Sequence, residues 1–302
     1  MVLPLPSPGA GEIRVRVHAS ALNPADNKVA LGRLKFLHAR NFPMILGYDF
    51  SGVIDAVGSD VAWKCGDAVF GFLPYGPFNR RGAFAESLIA RGNEVARKPE
   101  GVSHAQAAAA ATPALTALQA IRDLGRLPAS GGRVLITGVS GGVGSTAISV
   151  ARRLGATVVA VGSGSGLTLA RKLNAVEVID RKQQDVFGGS DGAYDVVFDA
   201  AAAYRWGQWK RKLKPGGVYV TTLPSLPYFI DRIKCMASPS KARFVNVKCR
   251  PADLDQVARW LEAGDQIAID STIPVREVAT GLARIDRGEA VGRIVVDVQQ
   301  GF

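Results

Sequence analysis

Cysteine and histidine are scarce in this sequence, and their scarcity excludes several kinds of site. The 302 residues include three cysteines and three histidines. The cysteines, Cys65, Cys235 and Cys249, are odd in number and lie far apart, which excludes a disulfide scaffold and a four-cysteine zinc module. Few and scattered thiols are typical of a reducing compartment, so we expect a cytoplasmic protein.

Long apolar runs are also missing. The most apolar stretch, 105–121, is rich in alanine and is interrupted by Thr112, Pro113 and Thr116. A helix that spans a bilayer needs about 20 predominantly apolar residues, which this stretch does not supply. The first residues also lack the basic and then apolar order of a signal peptide. The sequence therefore predicts no membrane span.

The composition is that of a globular protein with a positive surface. Hydrophobic residues make up 47% of the chain and charged residues 21%, and the net charge is +11. At about 100–200 residues per domain, the length predicts two domains. The positive charge suggests an anionic partner, and nucleic acid, a membrane surface and a phosphorylated small molecule all remain open.

Two kinds of pattern follow each other along the chain. Residues 12–20 alternate apolar and polar side chains, which predicts a half-buried strand, and similar segments separated by turns fill the first third. The middle begins with an apolar strand at 133–137, a helical pattern at 143–154 and a second strand at 157–161. Strands that alternate with helices predict a doubly wound parallel sheet of the Rossmann type.

The last part of the chain returns to strand, helix and strand, and we expect it to complete the first, strand-rich domain. The prediction is an α/β fold in which one domain is inserted into another. The inserted, dinucleotide-binding domain covers 118–264, and the strand-rich domain covers 1–117 and 265–302.

A glycine-rich segment lies directly between the strand at 133–137 and the helix at 143–154. Its glycines permit a tight turn and let the backbone approach a pyrophosphate, while the helix N-terminus offers free N–H groups. The spacing G-x-x-G-x-x-G with one extra glycine is a variant of the dinucleotide fingerprint. It predicts a cofactor-binding loop made of Gly138, Ser140, Gly141, Gly142, Val143 and Gly144.

The same segment matches two other motifs, and each lacks its partner residues. Residues 138–142 read G-x-S-x-G, the nucleophile elbow of α/β-hydrolases, in which the histidine follows the serine along the chain. Here all three histidines precede Ser140; they are His18, His38 and His104. A P-loop needs a lysine after its last glycine, and none follows Gly144. Dinucleotide binding is therefore the favoured interpretation.

The residues around the second strand favour NADP(H) over NAD(H). An NAD site usually carries an acidic residue about 20 positions after the loop to hold the ribose 2′-hydroxyl. No Asp or Glu occurs between Ser145 and Val176. Hydroxyl and guanidinium groups accept a 2′-phosphate instead, and one charge-assisted hydrogen bond is worth roughly 1.5–3 kcal/mol. The predicted contacts are Ser163, Ser165 and Arg181.

Several short motifs follow one another from the start of the chain to its end. They include Asn23-Pro24-Ala25-Asp26, Gly47-Tyr48-Asp49, the glycine loop and Gly292-Arg293-Ile294-Val295. In this order they resemble the medium-chain dehydrogenase/reductase superfamily, in particular its zinc-independent quinone oxidoreductase-like and enoyl reductase-like branch. The resemblance implies a Rossmann domain inserted in a GroES-like catalytic domain. It also implies a homodimer joined at Rossmann sheet edges, here at 244–247.

The resemblance assigns roles to individual residues. Zinc-dependent members carry Gly-His-Glu where this chain reads Gly47-Tyr48-Asp49, so no metal is expected. Asn23 is placed beside the nicotinamide. Lys28, a tyrosine in many quinone-reducing relatives and a lysine in some enoyl-reductase-like ones, is either a proton donor or a solvated lysine, and Tyr48 is a second candidate donor. Cofactor contacts are implied at Thr116, Ala200, Ala201 and Arg293.

We therefore expect an NADPH-dependent, zinc-independent oxidoreductase that transfers hydride to a quinone or an α,β-unsaturated carbonyl. Without a Lewis acid, an acceptor that spreads the arriving charge onto its own oxygen is the easiest to reduce. One alternative is a trans-acting enoyl reductase for carrier-bound thioesters. Another is an NADPH-regulated RNA-binding protein without turnover. Nucleic acid is the less favoured partner, since the sequence has neither an RNA-binding motif nor interleaved aromatic and basic residues.

Overall fold

The computed structural model describes residues 3–32, 44–74 and 81–300 of the chain. It divides into two compact units, one made of both ends of the chain and one of its middle. The first, which we call the split unit, consists of Met1–Thr112 and Lys248–Phe302, and the second, the inserted unit, of Pro113–Val247.

Both unit boundaries lie earlier in the chain than the predicted 117/118 and 264/265. A helix at Pro251–Glu262 accounts for the second difference. The predicted bounds place this helix in the inserted domain, but it packs against the strand Val95–Arg97 of the split unit. The local sequence pattern of this segment does not show which sheet it covers.

The described residues form strands and helices in an order close to the predicted one. The strands are β1 (Glu12–Ala21), β2 (Asp49–Val57), β3 (Ala68–Phe72), β4 (Ser87–Arg91), β5 (Val95–Arg97), β6 (Arg133–Thr137), β7 (Thr157–Gly162), β8 (Glu177–Asp180), β9 (Tyr194–Asp199), β10 (Leu213–Thr221), β11 (Lys241–Phe244), β12 (Ile269–Pro274) and β13 (Arg293–Asp297). The helices are α1 (Pro24–Ala30), α2 (His104–Leu118), α3 (Gly142–Arg153), α4 (Ser165–Lys172), α5 (Trp206–Trp209), α6 (Leu226–Lys234), α7 (Pro251–Glu262) and α8 (Val278–Asp286).

In the split unit, the described strands form a seven-stranded sheet in the order β12-β13-β1-β2-β3-β5, with β4 also paired to β1. The long strand β1 pairs antiparallel with β2, β4 and β13. Ile13, Val15 and Val17 point from β1 into the hydrophobic core, and the residues between them are more exposed. The alternation predicted for 12–20 is therefore confirmed.

The inserted unit contains a six-stranded sheet in the order β11-β10-β9-β6-β7-β8, and all its described pairs are parallel. Val134, Leu135 and Ile136 of the central strand β6 are fully buried, as expected for a parallel sheet with both faces covered. Helices α3 and α4 pack against β7. The predicted fold class, a doubly wound parallel sheet joined to a strand-rich domain, is confirmed.

The edge at which a homodimer was expected is β11, a few residues before the predicted 244–247. This strand pairs with β10 on one side only. The N–H of Val245 donates to Thr221 on β10, and backbone groups alternate sides along a strand, so those of Ala242 face away from the sheet.

The outward backbone groups of Ala242 already have partners. Its N–H donates to the Cys235 sulfur at 3.4 Å, and its carbonyl accepts from the guanidinium of Arg232 at 3.2 Å. A strand from a second copy would have to displace these contacts at this position. The homodimer stays a prediction. The expected strand pairing between two copies at this edge would be hindered at Ala242.

Helix α2 holds the alanine-rich stretch and continues as a π-helix over Gln119–Leu124. In the described parts of the chain, no helix is both long and apolar enough to cross a bilayer.

Two half-buried histidines of the split unit lie against each other. The ring centroids of His18 on β1 and His104 at the start of α2 are 4.3 Å apart. His104 Nδ1 lies 2.7 Å from the hydroxyl of Ser51, which itself donates to the carbonyl of Val69 and therefore accepts from the histidine. Burial, together with the charges of His18 and Lys98, lowers the pKa of His104 to about 4.

We expect stability to fall as the pH drops from 6.5 towards about 4, because the unfolded chain takes up a proton at His104 that the folded chain resists. His104→Asn keeps a donor near Ser51 but cannot titrate, so it should remove part of this pH dependence. The thermal unfolding midpoints of both proteins across this range provide the measurement. An equal fall in both midpoints would contradict the assignment of this pH dependence to His104.

Candidate functional site

The glycine loop between β6 and α3 is packed so closely that two of its positions require glycine. Gly138 has a left-handed backbone (φ +69°), and a Cβ there would lie 2.8 Å from the Cβ of Ala201. A Cβ at Gly144 would lie 2.2 Å from the Gly138 carbonyl oxygen. The loop backbone therefore rests directly on the first turn of α3 and on the segment that follows β9.

The N-terminus of α3 receives no side-chain cap from its N-cap residue. Gly141 is the N-cap residue and offers no capping group. A Cβ at this position would be 3.5 Å from its nearest neighbour, an ordinary contact, so the fold itself does not demand glycine there. An N-cap side chain normally occupies the free N–H groups of the first turn. Its absence leaves these donors, including those of Gly142 and Val143, open to an anion such as a pyrophosphate.

The residues predicted to bind a 2′-phosphate lie at the ends of two neighbouring strands. Gly162 at the end of β7 pairs with Asp180 at the end of β8, and Ser163 and Arg181 follow them directly. The N–H of Arg181 donates to the Gly162 carbonyl at 2.9 Å. Ser165 begins α4, and both it and Arg181 are exposed. The structure thus brings the three predicted residues to one edge of the sheet.

The first turn of α4 also touches the glycine loop. A Cβ at Gly166 would lie 2.7 Å from the Cβ of Ser140, so these two backbones pack together without a side chain between them. Ser140 is therefore placed between the two helix N-termini of α3 and α4. At the same sheet edge, the carboxylate of Asp180 accepts the N–H of Lys182 at 2.9 Å.

A buried carboxylate at the end of β9 organises the loops around this edge. Asp199 is fully buried and accepts hydrogen bonds from the hydroxyls of Thr137 (2.5 Å) and Tyr219 (2.8 Å). It also accepts from the backbone N–H groups of Ala203 (3.2 Å) and Tyr204 (2.7 Å). Burial and the adjacent carboxylate raise the pKa of Tyr219, which keeps this phenol a donor.

Asp199 thereby fixes the segment that contains Ala200 and Ala201, two predicted cofactor contacts. Asp199 itself was not among the site residues predicted from the sequence. The available signal was a charged residue directly after the apolar run 196–198 of the strand Tyr194–Asp199. Another predicted contact, Thr116 on α2, is 5% exposed.

In the split unit, Asn23, Asp49 and Arg293 form a buried polar network. The Nδ2 of Asn23 donates to Asp49 at 2.9 Å, and its Oδ1 accepts from Arg293 at 2.9 Å. Arg293 pairs with Asp49, whose other oxygen accepts the N–H of Thr112 at 2.8 Å. Both ends of the Asn23 carboxamide therefore have protein partners, and Asn23 is 3% exposed. Its position suits the support of helix α1, for which it is the N-cap, better than contact with a reacting group.

The placement of Arg293 differs from the predicted cofactor contact. Its side chain is 3% exposed, and its guanidinium is held by Asp49 and Asn23 inside the split unit. If the guanidinium of Arg293 turned towards another anion, the buried carboxylate of Asp49 would lose its compensating positive charge. The motif at 292–295 led to the assignment, but sequence could not show that the arginine is paired with residues far away in the chain.

Asp26 is a second buried carboxyl group that the sequence analysis did not single out. It accepts the N–H groups of Asn23 (2.8 Å) and Gly47 (3.1 Å). Burial raises the pKa of Asp26 to about 7 despite these hydrogen bonds. The neighbouring Tyr48 is also buried, and burial together with Asp26 raises the pKa of its phenol. Lys28, two residues after Asp26 on α1, is partly exposed.

The residues at the position of the family's zinc motif do not fit a catalytic zinc. Tyr48 replaces the histidine ligand, and the Asp49 carboxylate is bound to Arg293, Asn23 and Thr112. Within 3–32, 44–74 and 81–300, no group of three or more His, Cys, Asp or Glu residues is arranged to hold a metal. No step of the chemistry below is assigned to zinc.

Two family profiles match the chain. The alcohol dehydrogenase GroES-like domain matches residues 9–100, and the zinc-binding dehydrogenase domain matches residues 173–296. The mitochondrial NAD(P)H oxidoreductase RTN4IP1 of Homo sapiens is 33% identical in an alignment of 326 positions, gaps included. The alignment covers 95% of this chain and 82% of that protein.

Two further similarities point the same way. A mycocerosic acid synthase-like polyketide synthase of Mycobacterium tuberculosis is 41% identical in an alignment of 312 positions, gaps included. The alignment covers 96% of this chain and 14% of that protein. The solved structure of the quinone oxidoreductase from Coxiella burnetii matches with a TM-score of 0.84 and 28% identity, covering 98% of this chain and 93% of that one. Because these relatives cover nearly the whole of this chain, it belongs to the medium-chain dehydrogenase/reductase superfamily, together with quinone oxidoreductase homologues, and is an oxidoreductase that uses a nicotinamide cofactor.

Proposed function

We propose that this oxidoreductase takes NADPH and reduces an acceptor that spreads negative charge onto its own oxygen, such as a quinone or an α,β-unsaturated carbonyl. The observation that carries the proposal is the replacement of the zinc motif. Tyr48 stands at the place of a zinc-binding histidine, and the next residue, Asp49, is bound to Arg293 and Asn23. These residues supply no ligands for a Lewis acid that would activate an alcohol.

The cofactor part of the proposal rests on the inserted unit. The open N–H groups at the start of α3 suit the pyrophosphate. Ser163, Ser165 and Arg181 suit a 2′-phosphate, because hydroxyls donate to it and a guanidinium neutralises its charge. The bound nicotinamide supplies a hydride, and the protein's residues orient the reactants and provide protons.

The proton donors of the proposal lie in the split unit. Asn23, Asp26 and Asp49 hold the start of α1, and Lys28 lies on the same helix. Its ammonium group is suited to donate to the oxygen of an enolate or a reduced quinone. Tyr48 is the second candidate, since burial raises the pKa of its phenol and keeps it protonated.

The relatives support a quinone acceptor and also favour a second candidate. The similar structure from Coxiella burnetii is described as a quinone oxidoreductase. The 41% identity to a polyketide synthase supports the alternative of an enoyl reductase for carrier-bound thioesters, which are also α,β-unsaturated carbonyls. The RNA-binding alternative gains no support from these names. The cytoplasmic location and the homodimer stay predictions.

A turnover experiment tests the proposal directly. The full chain is mixed with NADPH and 1,4-naphthoquinone, a 2-alkenal or a crotonyl-pantetheine thioester, and the loss of NADPH absorbance is followed. We expect oxidation with the quinone or the alkenal, and the highest kcat/KM with the thioester if the second candidate is correct. Gly141→Asp places a carboxylate over the α3 N-terminus and should abolish turnover while the protein stays folded. No turnover of the folded wild-type chain with any acceptor would contradict both candidates.

The cofactor preference is tested at Arg181. Arg181→Ala should reduce the preference in kcat/KM for NADPH over NADH by about 10- to 100-fold, the effect of one charge-assisted hydrogen bond. Lys182→Ala is the matched control, because it removes the neighbouring cation beside the same strand end. A wild-type enzyme with equal kcat/KM for NADH and NADPH would contradict the assignment of Ser163, Ser165 and Arg181 to a 2′-phosphate.

The role of Lys28 is tested by removing and restoring its charge. Lys28→Met should lower kcat with an alkenal by about 100-fold, the lower end of the usual general-acid contribution, with little change in the KM for NADPH. Lys28→Arg should restore part of the rate. An unchanged kcat in Lys28→Met would identify Lys28 as a solvated lysine and leave Tyr48 as the donor to test.

A further inference from the structure

One connection in the parallel sheet of the inserted unit contains no helix. The other four connections between its strands carry α3, α4, α5 and α6, as is usual for parallel strands. The segment 181–193, which leads from β8 to β9 and is described throughout, consists of turns and irregular backbone. A helix with its side chains is about 10–12 Å across, so a segment of turns covers less of the sheet face beneath it.

This segment is anchored at its middle and borders a cavity beside the starts of the strands. Phe187 packs against Trp209 of the unit's core cluster, with 4.7 Å between the ring centroids. Directly after Phe187, the segment and the strands β6, β8 and β9 surround a cavity of about 370 Å³. Small-molecule sites measure about 300–1,000 Å³, so the cavity can hold a small metabolite.

The cavity is separate from the predicted cofactor site. It is lined by the first residues of three strands, Arg133 of β6, Glu177 of β8 and Tyr194 of β9. The glycine loop and the predicted 2′-phosphate contacts follow the last residues of β6, β7 and β8, and none of these described residues lines the cavity. The described residues of the outer strand β11 do not line it either, so the cavity is compatible with a homodimer joined at β11.

The cavity is lined by charges of both signs. Arg133 donates to the carboxylate of Glu177 at 2.6 Å. Asp185, which accepts the N–H of Phe187, supplies a second carboxylate. The side chains of Arg133 and Glu177 are 42% and 48% exposed, and an ion pair this exposed contributes little to stability. A ligand with one positive and one negative group can therefore replace this pair without a large loss.

The protein uses only part of the hydrogen-bonding capacity of the Arg133 guanidinium. Its Nη2 pairs with Glu177, but its buried Nε has no hydrogen-bond partner among the described residues. The central carbon of the guanidinium lies 5.4 Å from the centre of the Tyr194 ring, which supports it. Burial raises the pKa of the Tyr194 phenol and keeps this neighbour uncharged. An arginine with donors to spare is a typical partner of a carboxylate.

We propose that this cavity binds a free α-amino acid with a large apolar side chain. The ligand's carboxylate pairs with Arg133, and its ammonium group pairs with Glu177 and Asp185. Its side chain lies on Ile179 and Ala193, which are half-buried and also line the cavity. A simple anion would meet two carboxylates and a simple cation would meet the guanidinium, so a zwitterion suits the charges best. The proposal does not rest on the redox activity.

Calorimetric titration of the full chain with L-phenylalanine and with L-leucine, without NADPH, tests the proposal. We expect saturable binding of one amino acid per chain. Two analogues of phenylalanine separate the charges, since 3-phenylpropanoate lacks the ammonium group and 2-phenylethylamine lacks the carboxylate. Each should bind at least about ten-fold more weakly than L-phenylalanine, because one charge-assisted contact is lost.

Three variants locate the binding. Arg133→Met keeps an apolar side chain beside Tyr194 and should weaken binding by at least about ten-fold, because it removes the partner of the carboxylate. Glu177→Gln changes an exposed side chain, should fold normally and should weaken binding by a similar factor. Arg152→Met is the matched control, because Arg152 is exposed at the end of α3 and does not line the cavity. It should bind like the wild type.

Several outcomes would overturn the proposal. One is a folded wild-type chain that binds neither amino acid; another is wild-type affinity in both Arg133→Met and Glu177→Gln. Equal affinity for 3-phenylpropanoate or for 2-phenylethylamine would assign the cavity to a simple anion or a simple cation instead. Loss of amino acid binding at saturating NADPH would place the ligand at the cofactor edge of the sheet.

Discussion

Burying a carboxylate costs free energy unless hydrogen bonds or a positive charge replace its water, and this constraint shapes a buried polar network in each unit. Asp199 satisfies it with two hydroxyls and two backbone N–H groups, which ties the end of β9 to the end of β6, to β10 and to the loop that follows. Asp49 satisfies it with Arg293, Asn23 and the backbone of Thr112. Each carboxylate thus fixes several chain segments at once.

The consequence for chemistry differs between the units. Around Asp199, the fixed loops leave the helix N-terminus behind Gly141 open to an anion. Around Asp49, the polar groups that a metal site would use are hydrogen-bonded within the network. Lys28 and Tyr48 are left as the candidate proton donors to test. Such a site favours acceptors that stabilise charge themselves, which is the basis of the proposed reduction of quinones and activated double bonds.

Much of the fold could be predicted from local patterns. The alternation at 12–20, the apolar strand Arg133–Thr137 and the glycine loop each depend on neighbouring residues, and the structure has all three. The roles of Arg293 and Asn23 depend on a contact between residues 270 positions apart, which no local pattern reports. Helix α6 was not predicted from the sequence, and no local pattern shows that its apolar side faces solvent.

The central claim is that the exposed start of α3 holds the phosphates of NADPH. Isothermal titration calorimetry of the folded full chain with NADPH, without any acceptor, tests it most directly. The account predicts saturable heat with one NADPH bound per chain and a much weaker signal with NADH. An absence of binding heat for NADPH in material that unfolds cooperatively would contradict it.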